Sequence, residues 1–304
     1  MRINVFDSWK KKFSHAMIDH WEGLGHEVHV NEEYGVPADI EFYYQADNAA
    51  QVGIEKSVAD KIYTQCVDIE VFAGQPFGID WGKVSGCLFM AEHIKEYVHS
   101  QMVFPLNVKL ALIKPGIDTD KFTLRPKQIL YPLKKIAYVV GDRRIWDVKR
   151  LDIAFQLLHD LMHSTKDIWQ LHVRGTYSTH VQYNRYCQYL EKDLKLEGNV
   201  VWEEARIDDM NVWLEDKDYL LLPSTKEAFS YATAEAMSKG IKPIINNWEG
   251  AKKTWGPFVC ETYGQMLAEI TRGKYEPEVY RKYIVDNYEQ KRYLREIDNF
   301  LGIV

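Results

Sequence analysis

The chain has 304 residues, 46% of them hydrophobic, and carries 38 Lys and Arg against 44 Asp and Glu, a net charge of -6. This length allows two domains of ordinary size, each with a buried core. The acidic balance argues against a general nucleic-acid coat protein, which needs positive charge to bind phosphates.

The four cysteines are far apart in the sequence and form no CxxC pair, so they favour neither a zinc site nor a disulfide framework. They are Cys66, Cys87, Cys187 and Cys260. No segment approaches the roughly 20 continuous apolar residues of a membrane span, and no signal peptide opens the chain. We expect a cytoplasmic protein with no transmembrane segment, which is compatible with peripheral contact with a membrane.

The first half of the chain alternates apolar runs with helical stretches, which is typical of a parallel α/β sheet. Residues 1–6 predict a strand, and Asp7 and Ser8 are candidate N-caps of a helix that ends near Leu24, before Gly25. Further strands are predicted at residues 26–30, 37–44, 84–90 and 108–113 and from residue 61 with a loop to 72, and a helix at 91–101.

The second half repeats this alternation after a proline-containing stretch, residues 123–134, that indicates a linker. Its pattern predicts a second parallel sheet with its own helices. Strands are predicted at 135–141, 168–175, 199–202, 219–222 and 243–245, and helices up to His163 and at 177–194, 208–215, 230–239 and within 276–300.

The clearest local unit lies between residues 219 and 250. Strand 219–222 leads through a polar loop with Glu227 into a helix, which Gly240 ends before strand 243–245. Such a βαβ unit binds ligands at the carboxyl ends of its strands, where the loop meets the helix N-terminus. Glu227 precedes that helix, and Glu235 lies eight residues on.

The residues around this glutamate pair fall in the pattern PS-x-x-E-A-F-x-x-x-x-x-E-A-M-x-x-G-x-x-P. Nine of its residues, Pro223, Ser224, Glu227, Phe229, Glu235, Ala236, Met237, Gly240 and Pro243, fall at a spacing that a known motif shares, whereas Ala228 and Ser230 stand where that motif usually has glycines. The pattern resembles the E-x7-E donor-binding motif of retaining GT-B glycosyltransferases, family 4 in particular. The resemblance implies an α/β GT-B fold with two Rossmann-like domains facing across a cleft. The alternative is an ordinary βαβ unit with solvated glutamates.

The same resemblance sets the expected domains. Residues 1–125 would form an N-terminal Rossmann-like acceptor domain, and 135–285 a C-terminal Rossmann-like domain for the nucleotide-sugar donor. Residues 286–304 would form a C-terminal helix, which in such proteins crosses back to the N-terminal domain. The run PGIDTDKF at 115–122 resembles the family's P-x-G-x-D-x-x-x-F signature, with one position fewer, which marks the turn that closes the first domain.

An arginine and, five residues later, a lysine follow the first strand of the donor domain in this family. Arg144 and Lys149 match that spacing, and Arg143 can stand in for Arg144. Arginine offers a planar fork of donors and lysine a compact charge, which together suit a diphosphate leaving group. The resemblance therefore makes Glu227, Lys149 and Arg144 catalytic, with Glu227 on the donor sugar.

The remaining donor-binding candidates also come from the resemblance. Glu235 would bind the ribose hydroxyls, and Trp202 would either stack near the base or simply pack. The others are Gly175, Phe229, Ser230 and Tyr231. We expect no metal ion and no cofactor besides the donor substrate, for example a UDP- or GDP-sugar.

The acceptor side is the part that departs most from the family. Lys10, Lys11 and Lys12 stand where a glycine pair is usual, and they either contact an anion or form a solvated helical turn. Asp68 can align with the aspartate of the family's His-Asp, but no histidine precedes it. His93 is the alternative, although a lone histidine beside a helix start is more often structural.

We therefore predict a retaining, metal-independent hexosyltransferase that acts in glycan assembly on a saccharide or lipid-linked acceptor. Two alternatives stay open. The basic run at 9–13 motivates transfer to a modified nucleic-acid base, which the net charge opposes. The missing glycine pair and His-Asp motivate a catalytically silent nucleotide-sugar binding protein.

Overall fold

The computed structural model describes residues 1–8, 14–30, 33–126, 133–140, 147–175, 181–203 and 209–303. The chain divides into two compact units, of which the first is Met1–Gly116 together with Gln290–Val304 and the second is Ile117–Glu289. The changeover at Gly116 and Ile117 therefore lies before the proline-containing stretch at 123–134 that indicates a linker in the sequence.

Each unit is built on one six-stranded sheet in which all neighbouring strands that the structure describes are parallel. The strands are β1 Arg2–Phe6, β2 Glu27–Val30, β3 Ile40–Tyr43, β4 Lys61–Cys66, β5 Gly86–Phe89, β6 Lys109–Leu112, β7 Leu133–Val139, β8 Ile168–Arg174, β9 Val200–Glu203, β10 Tyr219–Leu222, β11 Lys242–Asn246 and β12 Val259–Cys260.

Helices connect these strands and cover the sheets. They are α1 His15–Gly23, α2 Asn48–Lys56, α3 Ile69–Phe72, α4 Glu92–Gln101, α5 Leu151–Ser164, α6 Val181–Asp193, α7 Met210–Trp213, α8 Tyr231–Ser238, α9 Ala251–Trp255, α10 Tyr263–Thr271, α11 Pro277–Tyr288 and α12 Gln290–Leu301. None of the helices that the structure describes has the length and apolarity that crossing a bilayer requires.

The first sheet has the strand order β2-β1-β3-β4-β5-β6, and one of its faces packs against α1 and α12. Tyr293, Ile297 and Phe300 recur on one side of α12 because these positions share a helical face. Asp298 on the same helix accepts hydrogen bonds from the Trp21 indole at 2.9 Å and from His20 at 2.7 Å. The helix α12 therefore covers one side of the hydrophobic core of the first unit.

The second sheet has the order β12-β11-β10-β7-β8-β9. Its main core lies between β7, β8 and α5, where Leu151, Phe155, Leu158 and Leu161 are fully buried at helical spacing. The chain builds outward from β7 through β8 to β9, then returns to place β10 on the other side of β7. The carboxyl ends of β7 and β10 therefore form a topological switch point.

The predicted start of the first helix is wrong. α1 begins at His15 with Ser14 in the N-cap position, so neither Asp7 nor Ser8 caps it. Asp7 instead accepts a 2.6 Å hydrogen bond from the Ser14 hydroxyl, and Ser8 donates to Asp47, the N-cap of α2. Both residues serve the start of a helix from a distance, which one-dimensional spacing cannot reveal.

Candidate functional site

A lysine and a glutamate meet at the switch point of the second sheet. Lys149 ends the short 3-10 turn Asp147–Lys149 after β7, and Glu227 lies in the loop between β10 and α8. Lys149 Nζ contacts Glu227 Oε1 as an ion pair. The side chain of Glu227 is only 9% exposed and that of Lys149 is 26% exposed. A carboxylate this buried needs a compensating cation, and Lys149 supplies it.

Ser224 supports the same carboxylate. Its hydroxyl donates a 2.7 Å hydrogen bond to Glu227 Oε1, the oxygen that Lys149 also contacts. The Ser224 carbonyl accepts a 3.0 Å hydrogen bond from the Asn246 side chain at the end of β11. Ser224 itself is buried. The ends of the neighbouring strands β10 and β11 therefore fix Glu227 from one side.

The backbone of the lysine turn is fixed to the glutamate loop as well. Thr225 N–H donates to the Val148 carbonyl at 2.8 Å, and the Tyr138 hydroxyl donates to the Lys149 carbonyl at 2.9 Å. Burial raises the pKa of Tyr138 well above its usual range, so this phenol keeps its proton. The backbone segments that carry Lys149 and Glu227 are therefore joined by a hydrogen bond.

Arg150 follows Lys149 with φ 54° and ψ 54°. Residues other than glycine adopt this left-handed backbone conformation only at a cost in free energy. Its guanidinium forms hydrogen bonds to both carboxylate oxygens of Asp152 at 3.0 to 3.2 Å. Tyr183 on α6 donates to the same carboxylate at 2.9 Å. These bonds raise the pKa of Arg150 and offset the cost of a backbone that turns sharply into α5.

The helix α8 begins at the switch point with a capped N-terminus. Ser230 is its N-cap, and the hydroxyl accepts a 3.3 Å hydrogen bond from Thr233 N–H. Phe229 stacks on Trp255 with ring centroids 5.2 Å apart and meets Tyr231 edge to face at 5.2 Å. Glu235 is half-buried on α8, one helical turn after Tyr231.

Two other candidates for the donor side belong to the same unit, one directly after β8 and one in β9. Gly175 follows β8 with φ 155°, and an added Cβ would stand 2.9 Å from Val140 Cβ. This position therefore needs glycine. Trp202 in β9 packs partly buried against the core of the second unit, and its indole donates to Glu191 at 3.3 Å.

Several candidates fall outside the described part of the second unit. Arg143, Arg144, Lys10, Lys11 and Lys12 lie outside the described residues. Asp68 and His93 belong to the first unit, where Asp68 precedes α3 and His93 is buried in α4. In the described ranges, no three His, Cys, Asp or Glu side chains are grouped as a metal site requires.

Sequence reasoning missed two residues of interest. The position of Asn246 near Ser224 follows from the order of the strands. β11 is the neighbour of β10, so its last residue lies beside the end of β10. Glu70 is buried after β4, where it accepts a hydrogen bond from Val67 N–H. Burial raises the pKa of Glu70, although backbone hydrogen bonds at Val67, Asp68 and Glu70 itself act to lower that pKa.

Comparison with known proteins assigns the family. The sequence model of "Glycosyl transferases group 1" matches residues 120–301, more than half of the chain. The chain belongs to the glycosyl transferases group 1. Comparison with curated protein sequences gives no match.

Solved structures place this group 1 glycosyltransferase among proteins of the same fold. A glycosyltransferase from Rickettsia africae matches at TM-score 0.74 and 14% identity, over 99% of this chain and 97% of that one. Sucrose-phosphate synthase from Thermosynechococcus elongatus matches at 0.77 and 11%, over 99% and 98%. Anabaena HepE, in complex with UDP and glucose, matches at 0.73 and 15%, over 100% of both. With the two parallel sheets, these likenesses confirm the predicted GT-B fold.

Proposed function

We propose that this glycosyltransferase uses a nucleoside diphosphate sugar as donor and transfers the sugar, with retention, to an acceptor hydroxyl without a metal ion. The observation that carries the proposal is the contact of Lys149 with Glu227 at the switch point of the second sheet. Ligands of such sheets bind at this place. The lysine suits the negatively charged diphosphate of the donor, and the carboxylate suits the hydroxyl groups of its sugar.

Lys149 has the role of holding the diphosphate, together with Arg144 or Arg143 from the family pattern. As the glycosidic bond breaks, negative charge grows on the leaving diphosphate, and a cation held in place beforehand stabilises it. One such group is typically worth about 3 kcal/mol in the barrier. The N-terminus of α8, with backbone N–H groups at Phe229, Ser230 and Tyr231, adds a partial positive charge.

Glu227 has the role of binding the sugar hydroxyls near the reacting carbon, where the transition state has oxocarbenium character. Lys149 and Ser224 both donate to Glu227 Oε1 and favour one orientation of the carboxylate. Glu235, on the following helix, is assigned to the ribose hydroxyls, which completes the E-x7-E motif of family 4. These roles require no metal, because cations and a helix terminus neutralise the diphosphate.

UDP sugars are the first donors to test, because Anabaena HepE was solved with UDP and glucose. The proposed acceptor is a saccharide or a lipid-linked saccharide, with Asp68 and His93 as candidates on the acceptor side. Transfer to a nucleic-acid base has no supporting contact among the described residues.

The donor assignment is tested with a thermal-shift panel of UDP, GDP and ADP sugars, because a ligand of the native state raises the midpoint. Transfer or slow hydrolysis of the best donor is then followed by NMR, which reads the configuration of the anomeric carbon, with and without EDTA. Glu227→Ala and Lys149→Ala should each lower turnover at least a hundredfold. Turnover that survives both substitutions would overturn the site, and an inverted product would overturn retention.

A catalytically silent protein gives a distinct result in the same assays. The midpoint would rise with a donor, yet neither transfer nor hydrolysis would occur with any acceptor offered. A base acceptor would instead show affinity for DNA that falls steeply with salt, because phosphate contacts release counterions.

A further inference from the structure

Arg150 joins the 3-10 turn that carries Lys149 to the helix α5. Its backbone N–H donates to the Asp147 carbonyl at 3.0 Å and closes the turn, and its carbonyl accepts a 3.1 Å hydrogen bond from Ile153 N–H in the first turn of α5. A left-handed residue between two right-handed segments changes the direction of the chain. The conformation of Arg150 therefore decides where the turn with Lys149 lies relative to α5.

This left-handed conformation is rare in the part of the chain that the structure describes, where only Arg150 and Lys195 combine it with a side chain. Lys195 is exposed and stands two residues after α6, where helices often end in this way. Arg150 instead precedes a helix and is the direct neighbour of Lys149. Strained residues persist where the surrounding structure fixes them, and they are frequent at functional sites.

Three side chains fix the backbone of Arg150, and we call them the Arg150 network: Arg150, Asp152 and Tyr183. The guanidinium bonds both carboxylate oxygens of Asp152, whose side chain is 11% exposed. The Tyr183 hydroxyl donates to Asp152 Oδ1 at 2.9 Å and accepts from Asp152 N–H at 3.3 Å. Burial raises the pKa of Tyr183, so this phenol keeps the proton that it donates. The helix α6 thus holds Asp152, and Asp152 holds Arg150.

The peptide group between Lys149 and Arg150 is fixed from its other side as well. The Tyr138 hydroxyl on β7 donates to the Lys149 carbonyl at 2.9 Å. The lysine side chain leaves the backbone at this point and reaches Glu227, so a change in the turn displaces its ammonium. A misplacement of about 1 Å at a reacting centre can cost about a hundredfold in rate.

We propose that the Arg150 network is a positioning device for Lys149. It holds the left-handed turn and thereby keeps the Lys149 ammonium where the diphosphate leaves, so the inference rests on the proposed function. Arg150 acts through its backbone conformation and not through contact with the donor. Glycine adopts the same conformation without steric cost, so glycine at this position should position Lys149 without any network.

Arg150→Ala and Arg150→Gly test the proposal, with turnover of the best donor followed as transfer or hydrolysis. Both remove the guanidinium, but only alanine keeps the Cβ that disfavours the left-handed turn. Arg150→Ala should lower kcat about fivefold to twentyfold and change KM for the donor less than about threefold, because Lys149 acts on charge that grows in the transition state. Arg150→Gly should keep at least about half of the wild-type kcat. Equal losses, or no loss in either variant, would overturn the proposal.

Asp152→Asn tests the network in a second way. In the wild-type background it weakens the hold on Arg150 and should lower kcat in the same direction as Arg150→Ala. In the Arg150→Gly background it should change kcat less than about twofold, because the turn no longer depends on the carboxylate. If Asp152→Asn lowers kcat equally in both backgrounds, Asp152 does not act through the turn and the inference is wrong.

Lys195 provides the matched control at the other left-handed residue. It precedes β9, at the amino end of the sheet, whereas Lys149 follows the carboxyl end of β7. Lys195→Ala and Lys195→Gly should therefore both keep the wild-type kcat, and thermal unfolding verifies that every variant is folded. A loss of kcat in Lys195→Ala as large as in Arg150→Ala would overturn the assignment to Lys149.

Failure of the inference differs from failure of the proposed function. If Lys149→Ala leaves turnover unchanged, the function assigned to Lys149 falls, whatever the Arg150 variants do. If Lys149→Ala loses turnover while Arg150→Ala keeps it, only the inference falls.

Discussion

The Ser224 hydroxyl donates a 2.7 Å hydrogen bond to Glu227 Oε1, from a residue that is itself held by the Asn246 side chain at 3.0 Å. Ser224→Ala removes this donor and loosens the orientation of the carboxylate. We expect kcat/KM to fall about tenfold, while stability falls by about 1 kcal/mol, as for the loss of one hydrogen bond.

Ser224→Thr is the matched variant, because it keeps a hydroxyl at the same position. It should recover most of the lost kcat/KM. If Ser224→Ala retains full activity in steady-state assays, this hydroxyl does not position Glu227.

Gly116 predicts a stability effect from close packing in the first unit. An added Cβ would stand 2.8 Å from Gln290 Cα and 2.8 Å from Tyr293 Cβ, and a backbone atom cannot move aside as a flexible side chain does. Gly116→Ala should cost about 1–3 kcal/mol, measured by urea unfolding. Gly264→Ala is the control, because its Cβ would meet only Thr262 Oγ1, at 3.8 Å. Equal stabilities of the two variants would contradict the packing argument.

The surroundings of Asp216 should make its contribution to the stability of the protein depend on pH. Burial raises the pKa of its carboxyl, but hydrogen bonds and charge from Lys135 and Lys217 outweigh burial and hold the pKa at about 2, against 3.8 for a free group. A carboxyl with a lowered pKa stabilises the native state above its unfolded pKa, and the contribution is lost as pH falls from 3.8 towards 2.

Asp216→Asn should therefore lower the free energy of unfolding by no more than about 1 kcal/mol at pH 7, because the side chain is half exposed and solvent screens it. The difference from wild type should shrink between pH 4 and pH 3 in urea titrations. A difference that stays constant with pH would show that charge is not its cause.

The cysteines predict a simple chemical test. All four are free and buried. Burial raises the pKa of Cys187 and of Cys260 to about 11, and contact with Cys87 together with burial raises that of Cys66. Only thiolates react readily with a disulfide reagent such as DTNB. The native protein should therefore release almost no chromophore at pH 8, and the unfolded protein should release four equivalents. Rapid reaction of any thiol in the native state would contradict this burial.

The fold was largely readable from the sequence because strand and helix patterns are local. The unit around Glu227 appears as the pattern predicts, with β10, α8 and β11 in order. Two separate family patterns also named Glu227 and Lys149, and the structure shows that these side chains are in contact. Contacts between distant segments could not be read in this way. The Asn246 bond to Ser224 depends on which strands are neighbours. The N-cap of α1 could not be read either, because Asp7, Ser8 and Ser14 are all residue types that favour this position and spacing does not choose among them.

The packing of α12 against the first sheet has a consequence for synthesis on the ribosome. Residues 1–116 emerge early, but the wall that Tyr293, Ile297 and Phe300 contribute to their core is translated only after the whole second unit. The second unit, Ile117–Glu289, is a continuous stretch of the chain, whereas the first is made of two separate stretches. The core of the first unit can therefore be completed only after the second unit has been translated, because Tyr293, Ile297 and Phe300 come last.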